Sequence, residues 1–291
     1  MKLHAQVLSF SSVLCYLLSF SFFSHPSYSA LESFVYAGCT QFKYNGGSPY
    51  ESNLNSVFTS IVNSASLSNF NNFKISLPGS TQSDIVYGLF QCRGDLTSLD
   101  CHNCVTYAVS RLGNICVDTS GGALQLVGCF VKYDNVSFFG AVDKTVVLKK
   151  CGPSFGYDSD FLTRRDAVLA YLTGAGQYFR VGGSGKVQGM AQCMQDLSMS
   201  GCQDCLSEAI QQLKNECGSS SWGDMFLAKC YARYSERGFS SDGARRFHGR
   251  GWWFMICDIS CSIHEIFAND LTASIDISVL QERLTNMINL G

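Results

Sequence analysis

Strong charge of either sign is missing from this sequence. Its 21 Lys and Arg side chains nearly balance 23 Asp and Glu, a formal net charge of −2. Nucleic-acid-binding domains usually show a strongly basic face, and membrane-surface proteins a polybasic cluster, so the balance speaks against both. Proline is scarce, at four residues, while glycine reaches 27; that usage fits turn-rich folded domains better than disordered linkers. Five histidines are scattered, and no Ser–His–acid order stands out, so enzyme chemistry finds no candidates. Gly182-Gly183-Ser184-Gly185-Lys186 lacks the spacing of a phosphate-binding loop and reads as a hairpin turn. Asp95 and Asp196 recur before helices, where an Asp-Leu pair marks a turn or cap. His102 reads as a solvated helix residue. The chain therefore reads as non-enzymatic and free of cofactors.

What is abundant is cysteine, with 15 residues. Such a count belongs either to a metal-binding protein or to an oxidising compartment. The N-terminus selects the second. Lys2, the mostly apolar run Val7 to Phe23, and the small residues Ser27-Tyr28-Ser29-Ala30 make a secretory signal peptide over 1–29. Its apolar run is short and broken by serines, unlike a membrane anchor. Cys15 leaves with the leader.

Cys92, Cys101, Cys104, Cys116 and Cys129 follow the spacing C-x8-C-x2-C-x11-C-x12-C. Cys193, Cys202, Cys205, Cys217 and Cys230 repeat every gap 101 residues later. Asp95-Leu96 matches Asp196-Leu197, Ala108 and Leu112 match Ala209 and Leu213, Asn114 matches Asn215, and Tyr133 matches Tyr234. This is an internal duplication. Cys39 upstream of the first set and Cys151 upstream of the second bring each copy to six cysteines, an even number that suits a closed framework. The upstream segments differ by eleven residues, which places a surface loop of different length there. The domains run 30–138 and 139–240, followed by an atypical tail, 241–291.

Each copy shows the same elements. Ser48-Pro49-Tyr50-Glu51 reads as a capped helix start, and Leu54, Val57, Phe58, Ile61 and Val62 follow at helical spacing. Phe161, Leu162, Arg165, Val168, Leu169 and Tyr171-Leu172 trace the counterpart. A second helix carries Cys101, Cys104, Val105, Ala108, Val109 and Leu112 on one stripe, matched by Cys202, Cys205, Leu206, Ala209, Ile210 and Leu213. Ile85 to Cys92, Leu124 to Tyr133, Val187 to Cys193 and Met225 to Tyr234 read as strands. The expected fold is α+β: two tandem domains, each an antiparallel sheet with two helices on one face.

Three readings of the cysteines compete: structural disulfides, zinc ligation through C-x2-C, and thiol redox chemistry. No histidine holds ligand spacing in both copies, since Gln203 stands where His102 does, and the flanks lack thioredoxin-like surroundings. Export favours bridging. Within each copy fifteen pairings are open.

The C-x8-C-x2-C pattern in this context resembles the ginkbilobin-homologous, or stress-antifungal, domain of plants, over about residues 34–240. The resemblance implies three disulfides per domain: Cys39–Cys116, Cys92–Cys101 and Cys104–Cys129, then Cys151–Cys217, Cys193–Cys202 and Cys205–Cys230. Phe34-Val35-Tyr36-Ala37-Gly38-Cys39 and Cys129-Phe130-Val131-Lys132-Tyr133 are most similar to the plasmodesmata-located group, which implies a protein at cell-to-cell channels that influences callose and traffic through protein contacts. The alternative is a soluble apoplastic carbohydrate-binding or antifungal protein. Partners on these readings are other cell-surface proteins or receptor-like kinases, a second copy of the chain, or a cell-wall glycan.

The group carries a membrane helix after its second domain. Here Gly251 to Cys257 is apolar but ends at Asp258, and His264, Glu265, Asp270 and Asp276 interrupt the remaining stretch. The mature product is therefore expected to be soluble and secreted, the anchor having been replaced through an alternative transcript or a gene-model error. Cys257 and Cys261 have no partner in the repeat. The mannose-binding positions of the antifungal relative fall on Thr40, Ala123 and Asp134, and on Gly152, Asp224 and Ser235; only Asp134 keeps comparable chemistry, so no mannose binding is expected there. Trp222 is a candidate for stacking on a sugar ring, against a core or turn role. Asn135-Val136-Ser137 is the one glycosylation sequon.

Overall fold

The computed structural model describes residues 30–154, 156–174 and 176–239. The leader, Cys15, the Gly251–Cys257 run, Cys257 and Cys261 lie outside the described residues.

The first copy runs β1 (Phe34–Cys39), α1 (Pro49–Ala65), β2 (Phe70–Ile75), β3 (Val86–Cys92), α2 (Ser98–Ile115), β4 (Gly121–Leu126) and β5 (Cys129–Asp134). The second runs β6 (Val146–Cys151), α3 (Ser159–Leu172), β7 (Phe179–Ser184), β8 (Val187–Cys193), α4 (Met199–Cys217), β9 (Trp222–Leu227) and β10 (Cys230–Ser235). Both sheets are antiparallel, ordered β1-β4-β5-β3-β2 and β6-β9-β10-β8-β7. The fold is the α+β tandem expected from the pattern.

Local chemistry starts each helix. Ser48 caps α1 by accepting from Glu51 N at 3.4 Å, with Pro49 in the first turn. The carboxylate of Glu51 turns back one residue beyond the usual box and accepts from Gly47 N at 2.6 Å. Thr97, Asp158 and Ser198 cap the other three helices with their side-chain oxygens.

The helices lie on one sheet face because their apolar stripes have nowhere else to go. Val57, Ile61, Val105, Ala108 and Leu112 pack on Val86, Phe90, Leu124, Val131 and Tyr133. Val168, Leu169, Leu206, Ala209 and Leu213 pack on Val187, Ala191, Met225, Ala232 and Tyr234. Gly88 in β3 leaves room for Val57, and Gly189 at the same place in β8 leaves room for Val168; a Cβ at either would collide.

Two readings need correction. Leu124 to Tyr133 and Met225 to Tyr234 are not single strands. Each is a hairpin, turning at Val127-Gly128 and at Ala228-Lys229. None of the four turn residues takes a positive φ, so neither turn is of the primed type, and no Asn-Gly or Asp-Gly pair marks it in the sequence. The edge strands β1, β2, β6 and β7 were not expected either, being short and half-exposed.

Most of the eleven-residue difference between the copies sits between their third and fourth elements. The first copy has the loop 76–85 between β2 and β3, and the second has only Gly185-Lys186, with Gly185 at φ +58°. The loop is held by Asn53, fully buried in α1: its amide donates to Ser80 Oγ (2.9 Å) and Asp84 O (2.7 Å) and accepts from Leu77 N (2.9 Å).

Candidate functional site

Six disulfides close the scaffold: Cys39–Cys116, Cys92–Cys101 and Cys104–Cys129 in the first copy, Cys151–Cys217, Cys193–Cys202 and Cys205–Cys230 in the second. Each set ties one edge strand to the C-terminal end of the second helix, and that helix to two of the three interior strands. All twelve cysteines are consumed. Among the described residues no cluster of His, Cys, Asp or Glu could hold a metal ion.

The copies form one compact unit, joined through the sheet faces that the helices leave open. Tyr36 of β1 is the apolar pivot, its ring 6.5 Å from Phe130 and 5.9 Å from Phe226 of the other sheet. Leu89, Phe130 and Met194 extend the seam on one side, and Met190, Phe226 and Tyr231 on the other. Polar groups then fix the register. Gln192 Nε2 donates to the Cys92 carbonyl at 2.9 Å, and Gln195 N donates to Gln91 Oε1 at 2.9 Å. Tyr231 OH closes the set by donating to Gln192 Oε1 at 3.1 Å. Burial pushes the phenols of Tyr36 and Tyr231 above their ordinary range.

Gln91 and Gln192 occupy the same place in the two repeats, one residue before a bridging cysteine. That in-register pair of buried amides was a readable signal that the sequence reading missed. So was a second one. Lys132 lies 4.4 Å over the ring of Phe138, and its counterpart Arg233 lies 5.3 Å over Phe239. In both copies the chain leaving the last strand folds back and lays a phenylalanine on a strand cation.

The acids diverge. Asp95 makes a surface pair with Arg93 at 2.6 Å. Asp196 is buried with Lys229, also accepts from Gly140 N at 3.0 Å, and so clamps the segment that links the copies. Lys229 Nζ in turn donates to Phe138 O at 2.9 Å. His102 is not simply solvated: its Nδ1 lies 3.2 Å from Val62 O, joining α2 to α1. Gly182 to Lys186 belongs to the β7–β8 hairpin, its turn at Gly185-Lys186.

The sugar-site positions lie where β1 and β6 end. Thr40 Oγ1 is 3.3 Å from Ser120 Oγ and 3.2 Å from Gly121 O, with Asp134 on the adjoining strand. Ala123 packs against the seam. In the second copy Asp224 is engaged by Arg233 through bonds of 2.6 and 3.0 Å, and Ser235 Oγ accepts from Arg237 N at 3.3 Å. The half-buried indole of Trp222 lies against Gly152, filling the space a side chain would need there. Asn135 is exposed just after β5, beside this first-copy cluster, with its N–H bonded to Ser120 O at 3.1 Å.

The described residues thus define a tandem, disulfide-stapled protein whose two sheets pack through a mixed apolar and amide seam. Residues 38–136 and 150–237 each match the Salt stress response/antifungal family. The chain is 60% identical over 219 residues to Plasmodesmata-located protein 7 of Arabidopsis thaliana, covering 75% of this chain and 71% of that one. It is 57% identical over 229 residues to Plasmodesmata-located protein 6 of the same plant, covering 77% of each. The crystal structure of the tandem DUF26 ectodomain of the Arabidopsis thaliana cysteine-rich receptor-like protein PDLP8 aligns with a TM-score of 0.68 at 42% identity, over 71% of this chain and all of that one. That of PDLP5 aligns at 0.66 and 43%, over 70% and 99%. The chain belongs to the family of tandem salt stress response/antifungal-domain proteins, and it is a non-enzymatic member. No helix among the described residues is long and apolar enough to cross a membrane.

Proposed function

We propose that this protein works at the plant cell surface in the manner of the plasmodesmata-located proteins, restricting cell-to-cell traffic and influencing callose through protein contacts. The observation that supports this is identity of 60% extending through both domains to a relative so named. Identity of 31% over 171 residues to Cysteine-rich receptor-like protein kinase 42 of Arabidopsis thaliana, over 25% of that protein, adds cell-surface proteins and receptor-like kinases as partner classes. The secretory route and the leader over 1–29 are part of the same reading. A fluorescent fusion inserted after residue 240 and expressed in leaf epidermis should collect in puncta at cell junctions, with slower spread of a mobile reporter and more callose stain. Uniform apoplastic fluorescence and unchanged spread would sink it.

The second reading, a soluble carbohydrate-binding or antifungal protein, draws on 33% identity over 172 residues to an Antimicrobial ginkbilobin-2-like protein of Castanea crenata. The sugar-site positions count against it: the arginine place holds Ala123 in one copy and the engaged Asp224 in the other. A mannan array should stay blank; robust mannose binding would favour the lectin. Asn135 is proposed to carry an N-glycan beside Thr40 and Asp134, which a mobility shift on enzymatic deglycosylation, lost in Asn135→Gln, would reveal.

A further inference from the structure

A cleft of about 240 Å³ opens in the first domain between the N-terminal segment and α2, lined by Glu32, Ser33, Phe34, Tyr107, Arg111 and Leu126. Both walls are held in place. Gly128 N donates to Leu31 O at 2.8 Å and Val127 N to Ser33 O at 2.9 Å, so the segment carrying Glu32 is fastened to the β4–β5 turn. A β-bulge lies just beyond, between Phe34 and Tyr36, and Phe34 remains 56% exposed at the rim. Tyr107 and Arg111 stand four residues apart on α2 and so share one face.

Arg93, Arg164, Arg165 and Arg233 each hold a carboxylate. Among the described residues neither Arg111 nor Glu32 has a hydrogen bond or an ion pair, with each other or with any third group. A cation on α2 and an anion on the N-terminal segment therefore line one cleft, together with apolar Phe34 and Leu126.

The second copy is an internal control, because the same fold there carries different residues. Glu208 and Gln212 stand where Tyr107 and Arg111 do, and Gln212 Nε2 donates to Glu208 Oε1 at 2.7 Å. Val146 replaces Phe34 opposite Leu227, as Phe34 stands opposite Leu126. The same fold in the second copy therefore forms without an arginine at this place, and Gln212 there is bonded within its own helix.

We propose that this cleft binds a free α-amino acid with an apolar side chain, its carboxylate forked by Arg111 and its ammonium held by Glu32. A guanidinium matches a carboxylate with two parallel bonds. One positive and one negative wall suit a ligand that is itself a zwitterion, whereas a simple anion would meet Glu32. Phe34 and Leu126 take the apolar side chain. The volume lies below the roughly 300–1,000 Å³ of clefts that hold drug-sized ligands, which limits the occupant to something of amino-acid size. The proposal does not depend on the plasmodesmal reading.

Calorimetric or NMR titration of the secreted full chain with L-leucine and L-phenylalanine tests it. Saturable binding is expected, weakened tenfold or more for N-acetyl-leucine, which lacks the ammonium, and for leucinamide, which lacks the carboxylate. Arg111→Gln and Glu32→Gln should each weaken binding tenfold or more while leaving the thermal midpoint unchanged, since neither side chain is paired. No saturable binding, equal binding of the blocked derivatives, or full binding by both variants would overturn the proposal.

Discussion

Asp196 and Lys229 form a buried ion pair, with side chains only 2% and 5% exposed, at the junction of the linker with the second domain. Their counterparts one repeat earlier are Asp95 and Gly128, and there the acid has turned to Arg93 on the surface. The same acid serves a clamp in one copy and a surface contact in the other.

Breaking the buried pair should be costly. Lys229→Met leaves Asp196 charged and out of water, and stability should fall by about 3–5 kcal/mol. Adding Asp196→Leu should recover part of that loss, because two apolar side chains of similar bulk carry no desolvation penalty. Urea unfolding of the three proteins checks this. Asp95→Ala should change the midpoint by no more than about 1 kcal/mol equivalent, as exposed pairs do.

Gln192→Ala removes the bond to the Cys92 carbonyl and leaves Tyr231 OH without its acceptor. The expected cost is about 1–3 kcal/mol. The loss should appear at the seam first, as faster hydrogen exchange at Gln195 N, whose bond to Gln91 Oε1 spans the same junction. Unchanged exchange there, with a global loss of stability, would locate the role of Gln192 inside its own sheet.

The bridges should differ in worth according to the chain they close. Cys39–Cys116 spans 77 residues and Cys92–Cys101 only 9. Loop-closure entropy gives about 4–5 kcal/mol for the first and about 2–3 kcal/mol for the second. Paired Cys→Ser variants, compared by thermal unfolding, should follow that order.

Alkali should loosen the seam through its phenols. Tyr36 is raised above the ordinary 10.0 by burial, so the folded state keeps its proton where the unfolded chain would lose it. That contribution is fully present below about pH 10 and is lost as pH rises towards the folded value. Tyr36→Phe should therefore flatten the fall of the urea midpoint between about pH 9 and about pH 11. An unchanged slope would assign the alkaline sensitivity to other groups.

The cysteine ladder made the duplication and the helix stripes legible, because spacing is local and bridged cysteines must face the core. The pairing of those cysteines came only through family resemblance, since any of fifteen arrangements fits the count. The hairpins were hidden because their turns use ordinary φ values. The seam was hidden for a different reason. Tyr36, Gln91, Gln192 and Phe226 are far apart in the chain and meet only when two sheets stack.

The amino-acid sequence alone determined the two-copy, twelve-cysteine plan and the helix on which each pair of close cysteines rides, because periodicity and spacing act within a few turns of chain. Tertiary structure alone decided which face of each sheet joins the other, which of two equivalent acids is buried, and that Glu32 and Arg111 share a cleft. Those outcomes depend on which distant groups come within a few ångströms once both cores are packed, and identical spacing in two repeats leaves them open.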